Sequence, residues 1–215
     1  MTDLDFAAKK LAEHYIVPVV VLDDPSQALP AAKALLDGGL PCAEITFRTD
    51  AGEESIRLIS REYPGMFVGA GTVLTTGQVD LAAAAGAKFI VSPGFDPEVV
   101  DYCLETGMPV FPGCVTASEV AQAQKRGLKY LKFFPAEQMG GTATIKALCA
   151  AYTGVRFMPT GGIGPHNLKI YMECDKILCC GGSWMIKSEL LRGERYDEIA
   201  RLTKEAVAIA AAVRG

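Results

Sequence analysis

The 215-residue chain is half apolar and carries a net charge of −4, which is typical of one compact domain and excludes a disordered chain. Its pI near 5.3 and the absence of a Lys/Arg cluster exclude nucleic acid as a partner. Residues 1–10 lack the apolar core of a signal peptide, and no apolar run approaches the roughly 18 residues of a membrane span. We therefore expect a cytoplasmic protein without a membrane partner.

Eight short apolar runs, each of strand length, recur along the chain. Such runs, bounded by turn residues, are typical of buried parallel strands. The predicted strands cover residues 16–22, 42–47, 67–73, 89–91, 109–111, 130–134, 156–158 and 176–180.

Helix signals lie between these runs, where a capping residue opens a segment and a glycine closes it. Pro30 conflicts with the interior of the first such helix, where we expect a kink. The signals are Asp24-Pro25 with Gly38, Asp96-Pro97 with Gly107, and Thr116 and Glu119 with Gly127.

Strand and helix therefore alternate through the chain. Eight βα units predict a single (β/α)8 TIM barrel over residues 1–215, preceded by an N-terminal helix. A doubly wound open sheet would give the same alternation and stays open as an alternative. In a barrel this short, the site must be built from strand ends and βα loops.

Lys132 lies inside the apolar run 130–134. Strand alternation puts Lys132 and Phe134 on one face and Leu131 and Phe133 on the other. A buried ammonium must be paired or lose its proton, and the neutral amine is a nucleophile. Lys132 is therefore the first candidate for catalysis.

Glu44, Thr46 and Arg48 share one face of the second predicted strand. Alternation places this polar set inside the barrel. A catalytic role for Glu44 is one interpretation. The other is a purely structural ion pair of Glu44 with Lys132 or Arg48.

Small residues and prolines gather where strands end and loops begin, in segments 69–72, 92–94 and 111–113. Their repetition favours a shared ligand pocket over unrelated turns. Glycines follow the seventh and eighth strands in segments 160–164 and 181–183. There, backbone N–H groups at a helix N-terminus would bind a phosphate, the usual anion position of such barrels.

The seven cysteines follow no C-x-x-C spacing and lie mostly in apolar contexts, so we expect reduced core residues. The two histidines, His14 and His166, are far apart. We therefore expect no metal.

At this point the sequence resembles the class I 2-keto-3-deoxy-6-phosphogluconate (KDPG) aldolases, which are grouped with the 4-hydroxy-2-oxoglutarate (KHG) aldolases. The resemblance spans most of the chain. It rests on segments 18–20, 44–48, 69–74, 92–94, 132–137, 159–163 and 181–184.

The resemblance implies a lyase in which Lys132 forms a Schiff base and Glu44 is the general acid/base, with no cofactor beyond the lysine imine. It implies a small-molecule substrate: KDPG, cleaved to pyruvate and glyceraldehyde 3-phosphate, or KHG, cleaved to pyruvate and glyoxylate. It also implies a homotrimer. Arg48 and Thr72 would hold the pyruvyl part, Thr160 would discriminate between substrates, and Gly161, Gly162 and Ser183 would bind phosphate. The candidate substrate-binding residues are Arg48, Thr72, Pro93, Phe134, Thr160, Gly161, Gly162, Gly182 and Ser183.

Several alternatives stay open. A sugar-phosphate isomerase or thiamine phosphate synthase would use the same glycine loops without an imine. A metal-dependent class II aldolase and a catalytically silent phosphate-binding barrel are the others. Val115 stands where some relatives have a small hydroxyl residue, and the sequence assigns no role to the Cys179-Cys180 pair. It also does not rank KDPG against KHG or the galactonate epimer.

Overall fold

The computed structural model of the chain describes residues 2–214. Within this range, eight short strands alternate with helices, as the apolar runs predict. The strands are β1 Ile16–Val20, β2 Cys42–Thr46, β3 Phe67–Gly71, β4 Ile90–Val91, β5 Val110–Phe111, β6 Tyr130–Phe133, β7 Arg156–Pro159 and β8 Cys180–Gly182.

The helices lie between and after the strands. The segment before β1 is helical, as expected, and one 3₁₀ turn, Pro25–Gln27, precedes the second helix. They are α1 Asp3–His14, α2 Ala28–Asp37, α3 Gly52–Glu62, α4 Thr76–Ala85, α5 Pro97–Thr106, α6 Ala117–Lys125, α7 Gly141–Ala151, α8 Leu168–Met172, α9 Ser188–Arg192 and α10 Tyr196–Arg214. None of those between residues 2 and 214 has the length and apolar character needed to cross a membrane.

The strands form a parallel half-barrel of six strands in the order β5-β4-β3-β2-β1-β8, with β6 and β7 paired separately. Isolated parallel bridges join Gly113 to Lys132 and Phe157 to Ile177. Neighbouring strands therefore follow the chain order, without the reversal that marks a doubly wound sheet. The predicted α/β architecture with parallel strands is confirmed.

Some predicted boundaries are wrong. The eighth strand begins at Cys180, whose N–H bonds to the Tyr15 carbonyl at 2.8 Å, whereas we predicted residues 176–180. Pro30 causes no conflict because α2 begins at Ala28, which places the proline in the first turn where its missing N–H costs nothing. Helix α6 ends at Lys125, and Gly127, the predicted closing glycine, follows the Arg126 cap in the left-handed conformation at φ +79°.

An apolar cluster fills the interior between the strands and α1. Ala7, Ala8 and Leu11 of α1 pack with Phe89, Phe111 and other buried side chains, namely Val17, Val91, Met158, Leu178 and Cys179. Outside α1, these residues come from or directly precede the strands, so α1 covers one end of the half-barrel. The opposite end, where the strands finish, is left for the loops.

An ion pair fixes α1 against the start of β6. Asp5 Oδ1 lies 2.8 Å from Lys129 Nζ, and this hydrogen bond holds the pKa of the Asp5 carboxyl at about 2. The seven cysteines are all buried. Burial raises the pKa of the Cys42 and Cys103 thiols to about 12, so both stay protonated and inert at neutral pH.

The contact between α2 and α10 depends on Gly38, which ends α2 at φ −79°. A Cβ there would lie 2.9 Å from the Ala200 carbonyl oxygen and closer still to the buried Thr203 side chain. We predict that Gly38→Ala lowers the free energy of unfolding by about 1–3 kcal/mol through this collision.

Urea denaturation measures the change, with Gly65→Ala as the control because a Cβ at Gly65 meets no atom within 4 Å. The control is expected to stay within about 0.5 kcal/mol of the unmodified chain. Equal stability of the two variants would contradict the close packing of α2 on α10.

Candidate active site

A lysine and a glutamate meet inside the fold. Lys132 Nζ of β6 lies 3.1 Å from Glu44 Oε1 of β2, and the two side chains are 3 % and 0 % exposed. The Lys132 ammonium also lies 5.4 Å from the centroid of the Phe134 ring. The predicted inner face therefore holds both charged groups, and the buried amine is paired.

Backbone pairing fixes both groups. Lys132 donates its N–H to the Pro112 carbonyl, and its own carbonyl accepts from the Cys114 N–H, both at 2.9 Å. Glu44 is held between Val19 of β1 and Gly69 of β3. The two side chains therefore project from strands with little freedom to move.

Gly71 gives the Glu44 carboxylate its space. A Cβ at Gly71 would collide with Glu44 Oε1 and its neighbouring atoms, so any larger residue would displace the carboxylate. Glu44 Oε2 is buried and hydrogen-bonds to no residue in the described range. This oxygen remains available for a substrate or a proton.

Arg48 lies two residues beyond the end of β2, and its Nε donates to Thr72 Oγ1 at 3.3 Å. Thr72 has φ +57°, a left-handed conformation that costs a non-glycine residue roughly 1–3 kcal/mol. The structure therefore brings these two predicted residues together, with the guanidinium at the surface.

A cavity of about 550 Å³ opens at the strand ends. Seven of the predicted site residues line it. They are Arg48, Phe134, Thr160, Gly161, Gly162, Gly182 and Ser183. Thr160 Oγ1 is buried and hydrogen-bonds to no residue between 2 and 214.

Four predicted residues are not among the described residues that line this cavity. Glu44 and Lys132 are buried, and Thr72 is bound to Arg48. Pro93 packs against Gly113, where a Cβ would collide with the Pro93 carbonyl. The close approach of these two loops accounts for the glycine at position 113.

The two glycine segments are in loops, which corrects one expectation. Gly161 and Gly162 have φ of +101° and +77°, a conformation that favours glycine. Helix α8 begins only at Leu168 and α9 at Ser188. The predicted position at a helix N-terminus is therefore wrong, because additional loop residues separate each glycine pair from its helix.

Sequence reasoning missed half of the cavity wall. Lys187 and Glu189 add one charge of each sign, and the other missed residues are Val19, Val21, Ile163, Ile186 and Ser188. The position of residues 187–189 just beyond the eighth strand was a usable signal, since loops after barrel strands build sites.

Val115, to which the sequence assigned no role, donates its N–H to Glu119 Oε2 in the capping box of α6.

In the described part of the chain, no group of three or more His, Cys, Asp or Glu residues is arranged to hold a metal ion. The chemistry available is that of a buried amine beside a carboxylate, with a guanidinium and open glycine loops near it.

Comparison with known proteins agrees with this geometry. The family model described as KDPG and KHG aldolase matches residues 7–202. The 2-dehydro-3-deoxy-phosphogluconate aldolase of Treponema pallidum (strain Nichols) is 45 % identical over 194 residues, covering 90 % of this chain and 92 % of the relative. The KHG/KDPG aldolase of Escherichia coli (strain K12) is 42 % identical, covering 89 % and 90 %.

A solved structure is also similar. It is the KDPG aldolase of Legionella pneumophila with pyruvate captured as a covalent carbinolamine, at 34 % identity and a TM-score of 0.90, covering 93 % of this chain and 97 % of that one. With the family model and the curated relatives, this likeness establishes that the chain belongs to the KDPG and KHG aldolase family.

Proposed function

We propose that this chain is a class I aldolase that cleaves KDPG to pyruvate and glyceraldehyde 3-phosphate through a Schiff base on Lys132. The observation that carries the proposal is the buried contact of 3.1 Å between Lys132 Nζ and Glu44 Oε1. The covalent carbinolamine of the Legionella pneumophila relative and the names of the curated relatives support it.

The Lys132–Glu44 pair prepares the nucleophile. In the proposed mechanism one proton passes from Lys132 Nζ to Glu44, whose Oε1 lies 3.1 Å away. The neutral amine then adds to the C2 ketone of the substrate to give a carbinolamine. Loss of water, with Glu44 supplying the proton, gives a protonated imine.

The imine accepts electrons as the C3–C4 bond breaks. Glu44 takes the proton from the C4 hydroxyl, glyceraldehyde 3-phosphate leaves, and the bonding pair moves through C3 to the imine nitrogen as an enamine. Protonation of C3 restores the imine. Water then releases pyruvate and regenerates the amine of Lys132.

The remaining residues bind the two ends of the substrate. Arg48 and Thr72 hold the pyruvyl carboxylate, and Phe134, whose ring centroid lies 5.4 Å from Lys132 Nζ, flanks the imine. Thr160 discriminates between substrates through its buried hydroxyl, which has no hydrogen-bond partner among residues 2–214. The phosphate end is bound by Gly161, Gly162, Gly182 and Ser183, which line the same cavity.

The same site is proposed to cleave KHG to pyruvate and glyoxylate. The reacting carbons and the pyruvyl part are shared with KDPG, so Lys132, Glu44 and Arg48 serve both substrates. The Escherichia coli relative, named for both substrates, supports this second activity.

We propose further that the eight strands close into one (β/α)8 barrel and that residues 1–215 form one domain. The bridges of Gly113 to Lys132, Phe157 to Ile177 and Thr160 to Gly181 support closure, because they link β6 and β7 to the strands on either side. One apolar core cluster that includes residues of all eight strands or their flanks supports the single domain.

A homotrimer is proposed from the family resemblance. Several large apolar side chains are 38–58 % exposed and available for subunit contacts, namely Phe6, Leu74, Leu81, Leu104, Met139 and Ile170. We predict that light scattering during size-exclusion chromatography gives three times the chain mass of 22.9 kDa. A single species at the chain mass would refute the trimer.

The Schiff base is tested by trapping. Incubation with pyruvate and borohydride is expected to add one reduced pyruvate to Lys132, located by peptide mass spectrometry. Lys132→Met is expected to abolish both the adduct and KDPG cleavage, because Met is similar in length but has no amine.

Lys125→Met is the matched control, since Lys125 is exposed at the end of α6. It should be labelled and active like the unmodified chain. An unlabelled Lys132 in an active preparation would refute the imine, and would favour the isomerase-type chemistry of similar barrels.

Glu44→Gln tests the acid/base role. The amide oxygen retains a hydrogen bond to Lys132, but the amide does not act as a general acid or base, so kcat for KDPG is expected to fall roughly 10²–10⁴-fold. Pyruvate trapping at Lys132 should continue at a lower rate. Glu62→Gln, an exposed change at the end of α3, serves as control, and a kcat within threefold of the unmodified value in Glu44→Gln would contradict the role.

A further inference from the structure

In the loop after β7, two backbone carbonyls accept hydrogen bonds from the protein, whereas two neighbouring N–H groups donate none within residues 2–214. The Gly161 carbonyl accepts from the Glu137 N–H at 3.2 Å, and the Gly162 carbonyl accepts from Asn167 Nδ2 at 3.0 Å. The N–H groups of Gly162 and Ile163 donate a hydrogen bond to no residue within the described range 2–214. Both residues line the cavity.

Peptide geometry links these two observations. In a trans peptide unit the C=O and the following N–H point in opposite directions. Anchoring the Gly161 carbonyl therefore directs the Gly162 N–H away from Glu137. Anchoring the Gly162 carbonyl directs the Ile163 N–H away from Asn167 in the same way.

Asn167 makes two bonds to this loop. Besides its donation to Gly162, its Oδ1 accepts from the Gly164 N–H at 2.8 Å. The side chain is buried, at 7 % exposure, so water competes little with either hydrogen bond. It thus holds the Gly162 carbonyl and the Gly164 N–H, which lie on either side of Ile163 in the chain.

Glu137 supports the other side of the loop. Its side chain packs where a Cβ of Gly162 would lie, and its Oε1 accepts a hydrogen bond from the Tyr171 hydroxyl. Burial, together with that bond, raises the pKa of Tyr171, so the phenol stays protonated as the donor. Glu137 is therefore held in place while its N–H binds Gly161.

We infer that Asn167 is a positioning residue for the phosphate end of the substrate: it holds the Gly162 carbonyl away from the cavity so that the Ile163 N–H, beside the Gly162 N–H, binds the anion. This inference rests on the proposed function. Without the Asn167 amide, the peptide between Gly162 and Ile163 is free to rotate. It then presents a carbonyl, which repels phosphate, in place of an N–H.

The test compares a reaction that uses the phosphate with one that does not. Asn167→Ala is expected to raise KM for KDPG about tenfold, the size expected when hydrogen bonds to a charged group weaken. The rate of borohydride trapping of pyruvate at Lys132 is expected to stay within twofold of the unmodified chain, because pyruvate carries no phosphate.

Asn167→Asp is measured alongside and keeps the inference testable if Asn167→Ala does not fold. It retains an acceptor for the Gly164 N–H but lacks the donor to Gly162, so KM should rise at least as far. His166→Ala, which removes the exposed neighbouring side chain, is the control and should leave both values unchanged.

A KM for KDPG within twofold of the unmodified value in a folded variant overturns the inference. An equal loss of KDPG cleavage and pyruvate trapping overturns it too, because it would mean a general loss of structure. Failure of the unmodified chain to trap pyruvate at all would instead overturn the proposed function.

Discussion

The rest of the site depends on two opposite charges held together away from water. Removing each ion from water costs several kcal/mol, and a well-packed apolar pair of similar volume would often be as stable or more so. The Lys132–Glu44 contact at 3.1 Å is therefore weak evidence for stability. It is better explained by reactivity, because a proton can pass between the two groups without either charge being left alone.

The strands and their polar faces were predictable because strand side chains alternate between two faces with a period of two residues. Apolar runs identify buried strands, and alternation assigned Glu44 and Lys132 to the inner face although 88 residues separate them. The carboxyl ends of parallel strands meet at one edge, so the cluster of Arg48, Thr160 and the glycines followed as well. Boundaries were less predictable, as at β8, because they depend on which neighbour supplies the next hydrogen bond.

Loop contacts were not predictable for a different reason. Lys187 and Glu189 line the cavity, and Asn167 hydrogen-bonds to the Gly161–Gly164 loop. Both contacts depend on irregular backbone turns, which have no periodic residue pattern in the sequence. The glycines themselves indicated an anion site, but the helix N-terminus expected beside them begins several residues later. A pattern of residue types identifies such a loop, whereas its hydrogen bonds depend on the folded backbone.

The site thus has two parts of different construction. The amine and the carboxylate project from strands that are paired on both sides, while the far end is a loop held by a few side-chain bonds. Every step of bond cleavage is reversible, so the same enamine can attack an aldehyde and build a new carbon–carbon bond. Because the proposed position of the aldehyde is at the loop end, redesign of residues 161–164 and 183–189 offers a route to condensing pyruvate with unnatural acceptors while the reacting pair stays untouched.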